Sequence, residues 1–144
     1  MPLILAALVA ALFSLSSATA TAGDSYERSG TTLLNECSYA ERLATNNEQG
    51  MTGSNLMLAV RCQAYIQGIA DGAAAQRQVH AELHTRDPQQ PNVVGMICVP
   101  STETVNQLVL VVTKHLRDHP ATLHEDRASL VVRALADAFP CTTR

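Results

Sequence analysis

The sequence predicts an all-α fold: a compact bundle of about four main helices stapled by two disulfides. Three observations carry that expectation. Apolar residues recur every three to four positions through four separate stretches, clusters of Gly, Pro, Asn and Thr divide those stretches, and four cysteines sit within or beside them.

The chain starts with a segment set apart from that bundle. Its first 22 residues carry no charged side chain, hold the apolar run Leu3 to Phe13, and end in the small residues Ala18-Thr19-Ala20-Thr21-Ala22. A helix crossing a bilayer needs about 20 apolar residues, so this run reads as a signal peptide cleaved near Ala20 or Ala22, although no Lys or Arg precedes it. Residues 23–144 are then expected to form a single exported domain, periplasmic once cleaved and no longer attached to a membrane. Because the leader is uncharged, the formal net charge of -3 belongs to that domain, which disfavours nucleic acid as a partner. The cysteines Cys37, Cys62, Cys98 and Cys141 also lie within it, and an even number in a small exported domain implies two bridges.

Gly23 to Ser29 is polar and without periodicity, so it reads as a flexible start. Thr31 or Thr32 is placed to cap a first helix whose stripe is Leu33, Cys37, Ala40 and Ala44. Thr45 to Gly53 has loop chemistry, and Ser54 or Asn55 is expected to open a second helix. The apolar face of that helix is Leu58, Cys62, Tyr65, Ile66, Ile69 and Ala73, continuing weakly towards Val79. Gly68 and Gly72 weaken a helix interior, so with Ala64 they predict a kink or a groove closely approached by another backbone. From Arg86 to Gly95, two prolines and a glycine among polar residues predict an exposed loop. That loop is a candidate contact surface, with Arg86, Asp87, Gln89, Gln90 and Asn92 placed to meet a partner.

Ser101 or Thr102 is expected to cap the third helix, with core face Val105, Leu108, Val109, Val112 and Leu116, and His119-Pro120 closes it. Its β-branched residues would also suit a strand. Thr122 to Glu125 has capping-box spacing ahead of a fourth face, Leu130, Val131, Ala134, Leu135 and Ala138, and Phe139-Pro140-Cys141 ends that helix.

Four cysteines permit three pairings, and spacing alone does not choose. Topology favours one. If the first two helices form an antiparallel hairpin, Cys37 and Cys62 lie level on facing stripes. If the last two turn back at Pro120, Cys98 comes beside Cys141.

The order of short motifs adds a second kind of information. Cys62-x-x-Tyr65-Ile66-x-Gly68-x-x-Asp71 is followed by Cys98-Val99-Pro100, then Leu116-x-x-His119-Pro120, then Ala134-Leu135 and Phe139-Pro140-Cys141. In this order, from about Gly30 to Cys141, the chain resembles the Rap/Tai family of type VI secretion immunity proteins. The resemblance implies an exported helical domain, commonly a homodimer, that binds and blocks a peptidoglycan amidase injected by another cell. It implies no chemistry at any residue of this chain and no cofactor.

Other readings of single residues carry less. His80 and His84, like His115 and His119, stand four apart and can share a helix face, but neither pair has an evident third ligand. Asp71 lacks a second carboxylate nearby in sequence, so its expected role is packing, with a helix end or a Tyr hydroxyl as partner. Tyr65 is expected to be a core aromatic. Gly-x-Ser-x-Gly, His-Glu-x-x-His and phosphate-cradling Gly-Lys-Ser/Thr sequences are absent. The leading expectation is a non-enzymatic inhibitor of a cell-wall amidase. The rivals are a small periplasmic chaperone or general protein-binding module and, less favoured, a histidine-based enzyme or metal carrier.

Overall fold

Each helix begins on a residue whose side-chain oxygen takes an otherwise unpaired amide of the first turn. A computed structural model describes residues 27–89 and 97–141; the expected signal peptide, and Gln90 and Asn92 of the expected loop, lie outside them. In order come α1 (Gly30–Ala44), α2 (Gly53–Arg86), α3 (Val105–Asp118), a single 3-10 turn (Pro120–Thr122) and α4 (Arg127–Ala138). No strand occurs among the described residues, so the all-α expectation holds.

The caps are displaced from their expected positions, and in each case tertiary structure decides. Ser29, not Thr31 or Thr32, caps α1, taking the Thr32 amide at 3.4 Å. Its extended backbone pairs with Asp126 in an isolated bridge, so the end of the supposedly flexible start is pinned. Thr52 caps α2 ahead of Ser54 and Asn55. Ser101 and Thr102 lie in a turn closed by the Glu103 amide on the Pro100 carbonyl, 3.1 Å, and Thr104 with Gln107 forms the full capping box of α3. Thr122 belongs to the 3-10 turn, and Asp126 caps α4 by accepting from Ala128 and Ser129 at 2.9 and 3.3 Å.

The core is built from one face of every helix: Leu33, Cys37 and Ala40; Ala59, Cys62, Ile66 and Ala70; Leu108, Val109, Val112 and Leu116; Leu130, Val131, Ala134 and Leu135. Helix α1 packs on α2 and α3, and α3 on α4. Burial of this apolar face settles α3 as a helix despite its β-branched content. Val105 is only half-buried, and Ala138 is exposed.

Both disulfides join the pairs that the hairpin topology favours. Cys37–Cys62 and Cys98–Cys141 have Cα separations of 5.1 and 5.0 Å. On the chain-entropy argument, loops of 25 and 43 residues contribute about 3.5 and 4 kcal/mol. The first bridge is fully buried between α1 and α2, and the second is half-exposed where the Cys98 amide donates to the Phe139 carbonyl at 2.8 Å. An ion pair with one buried member reinforces the first contact: the exposed Arg61 reaches Glu36 at 3.0 Å, and the Glu36 side chain is 3% exposed.

The glycines of α2 do not act as expected. A Cβ on Gly68 or Gly72 would meet nothing within 4 Å, both are exposed, and the helix runs unbroken past them. The closely approached glycine is Gly30, where a Cβ would collide with Leu130 Cδ1 and lie 3.1 Å from the Leu123 carbonyl.

Candidate protein-binding surface

Helix α2 has 34 residues against 12 to 15 in the other three, so at 1.5 Å per residue it is about 51 Å long. Its last buried residue is Ala70. Sixteen residues, about 24 Å of helix, follow that point. Ala73 is half-buried, and Arg77 ties this segment to the body by donating to the Ile97 carbonyl. Further along, Val79 and Leu83 are 55% and 47% exposed. The expected continuation of the core face to Val79 is therefore wrong: thirteen residues beyond Ile66 at about 100° each lead to the opposite side of the helix.

The outer face of α2 is largely uncharged. Ala64, Gly68, Gly72 and Ala75 are exposed along it, and towards its N-terminal end so are Leu56, Met57 and Val60, with Met57 63% exposed. Scattered exposed apolar residues are ordinary, but several on one helix face mark an interaction surface. The signal was present in the sequence, since the apolar residues of α2 do not fall on one side only.

Asp71 also faces outward. It lies about 140° around the helix from Ile66, beyond the edge of the buried stripe, and its Oδ1 accepts from Gln67 Nε2 at 2.8 Å. The expected packing role, with a tyrosine hydroxyl or a helix end as partner, is not what the structure shows. Instead Asp71 lines a cleft of about 340 Å³ between α2 and the segment after Cys98, together with Arg77, Val99, Pro100 and Glu103. Three residues of the sequence motifs, Asp71, Val99 and Pro100, thus meet at one surface feature, and Gly68 lies exposed one turn before it. Arg77 and Glu103 were not anticipated, and no motif marks them.

The remaining motif residues are structural. The Arg127 guanidinium sits 4.2 Å from the centre of the half-buried Tyr65 ring. Pro120 opens the 3-10 turn, Phe139 ends α4 and packs on the core, and Pro140 bridges to Ile97.

The segments that flank α2 differ in organisation. At the end of α2, Arg86 pairs with Glu82, the Asp87 amide caps the helix on Leu83, and the Asp87 carboxylate accepts from the Gln89 amide at 3.0 Å. Arg86, Asp87 and Gln89 are all exposed. Between α1 and α2, Arg42 donates to the carbonyls of Asn47 and Gln49, which holds that loop, and Asn46 and Gly50 take left-handed backbone conformations.

At the other side of the bundle, His115 and His119 stack with ring centres 4.3 Å apart in a shallow cleft between α3 and α4. Burial first, and the neighbouring His119 second, hold the His115 pKa below its usual value. Among the described residues no group of three or more His, Cys, Asp or Glu is placed to hold a metal ion. No helix among them is long and apolar enough to cross a membrane.

Fold and surface together define a disulfide-stapled helical scaffold with one long helix that presents apolar and polar contacts to solvent. The chain matches the family of Rap1a immunity proteins over residues 29–141 and belongs to that family. Comparisons with curated proteins and with solved structures returned no match.

Proposed function

We propose that this is a periplasmic immunity protein that binds a type VI secretion amidase and keeps peptidoglycan out of its groove. Family membership supports an immunity role with a protein partner. The observation that carries the rest is the outer end of α2: a helix continued about 24 Å past its last buried residue, ending in the exposed Arg86, Asp87 and Gln89. Occlusion needs a rigid projecting element more than a reactive group, and a preformed helix end lowers the ordering cost of binding. The two disulfides and the uncharged leader support export. In this reading no residue of the chain does chemistry.

A symmetric pair of protomers completes the proposal. Leu56, Met57 and Val60 give it an apolar patch separate from the outer end of α2. Met57→Glu should leave a monomer by analytical ultracentrifugation if that patch is the contact.

Rescue from toxicity tests the proposal. The product of a neighbouring reading frame, or each of a panel of cell-wall amidases, is directed to the periplasm, and the protein is co-expressed with and without residues 1–22. Rescue that requires those residues, with a stable complex of the purified pair, is the expected result. An unprotected cell and no complex would exclude the proposal and favour a chaperone role.

A further inference from the structure

We infer that the cleft between α2 and the Cys98 segment receives an arginine side chain of the partner protein; this rests on the immunity reading for the partner, while the cleft itself is read from geometry. Its walls combine two chemistries. Val99 and Pro100 offer apolar surface to an alkyl stem, and the carboxylates of Asp71 and Glu103 come from separate elements that line the same space. Asp71 Oδ2 and the Glu103 carboxylate have no hydrogen-bond or ion-pair partner among the described residues. Arg77, a cation lining the cleft, donates to the neutral Ile97 carbonyl and offsets one of the two carboxylates, so the lining keeps one net negative charge.

Carboxylates on two different elements call for a ligand with several diverging donors. A guanidinium offers five N–H groups in a planar fork, whereas an ammonium is a compact, strongly hydrated charge. The cleft of about 340 Å³ is roomy enough for one long side chain and lies at the small end of the range for ligand pockets. It is also held open by structure that no partner has to supply. The Cys98–Cys141 bridge, the Cys98 amide on Phe139 and the Glu103 amide on Pro100 fix one wall, and an unbroken helix forms the other. Arginine anchors seated in such preformed pockets are among the residues that dominate interface energetics.

The test has two arms on the full mature chain. In the first, N-acetyl-arginine methylamide and its neutral citrulline counterpart are titrated while backbone amide resonances are followed by NMR. The expected result is saturable shifts centred on Gln67, Asp71 and Glu103 with the arginine compound. Binding should be at least about tenfold weaker for citrulline, and for an Asp71→Asn, Glu103→Gln double variant. Equal responses to both compounds, or no saturable response, would overturn the assignment. In the second arm the double variant is tested against the amidase, with its unfolding midpoint checked against wild type. At least about tenfold weaker association is expected. An unchanged complex would overturn the cleft as an anchor and leave the immunity reading standing. Absence of any complex with the wild-type chain, beside saturable arginine binding, would overturn the immunity reading alone.

Discussion

The two halves of α2 are one continuous helix with opposite tasks. From Gly53 to Ala73 it is clamped: Ala59, Cys62, Ile66 and Ala70 are buried, Cys62 is bonded to α1, Arg61 neutralises Glu36, and Gln63 donates to Asn106 of α3 at 3.1 Å. From Ala74 to Arg86 it has no buried residue, and Arg77 provides an anchor to the body. An isolated helix of that length is marginal in water, so the outer half is held helical by the half that is packed. Stability is concentrated where the sequence has its apolar stripe, and beyond that stripe no residue of the helix is fully buried.

The largest expected effect comes from the bridge that fixes the clamped half. Replacing Cys37 and Cys62 together by alanine should lower unfolding free energy by about 3.5 kcal/mol in urea titrations, enough to threaten folding of so small a domain. Next, Ile66→Ala should cost about 3 kcal/mol by opening a core cavity, whereas Leu83→Ala should cost under about 0.5 kcal/mol. Comparable losses at the two positions would break the division between halves. Arg61→Ala leaves the Glu36 carboxylate buried without its partner and should cost about 2 kcal/mol, with Glu36→Gln in the same chain restoring part of it. Additive losses would mean that the pair is not coupled.

The smallest effect concerns pH and belongs to the bundle. Because burial and His119 lower the pKa of His115 in the folded state, the unfolded chain binds more protons between that lowered value and 6.5. The contribution of His115 to stability is therefore present above about pH 6.5 and is lost as pH falls through the folded-state pKa. Asp137 and Asp118 oppose the shift, and Arg133 reinforces it. Urea titrations from pH 7.5 to 5 should show a shallower decline for His115→Gln than for wild type. An identical slope would remove His115 as its source.

The helices and both disulfide pairs were legible because a 3.6-residue period and paired cysteines are local patterns with few geometric solutions. The caps were less legible. Ser29 caps α1 because Asp126 pairs with it from nearly a hundred residues away, and no local rule contains that contact. Gly30 escaped notice for the same reason, since Leu123 and Leu130 create its need for a missing Cβ. Gly68 and Gly72 misled in the opposite sense: small residues on a helix face signal an approach, but no approach occurs within this chain. Asp71 and Pro100 were marked by motifs before their meeting in one cleft was visible, while Glu103 became part of the site only through folding.

The most direct test of the divided helix is the affinity for the proposed amidase partner when only its outer half is altered. Leu83→Asp with Arg86→Glu should weaken the complex at least about a hundredfold by calorimetry, while the urea midpoint of the free protein stays at its wild-type value. Wild-type affinity in that variant would contradict the account, because the outer end of α2 would then take no part in recognition.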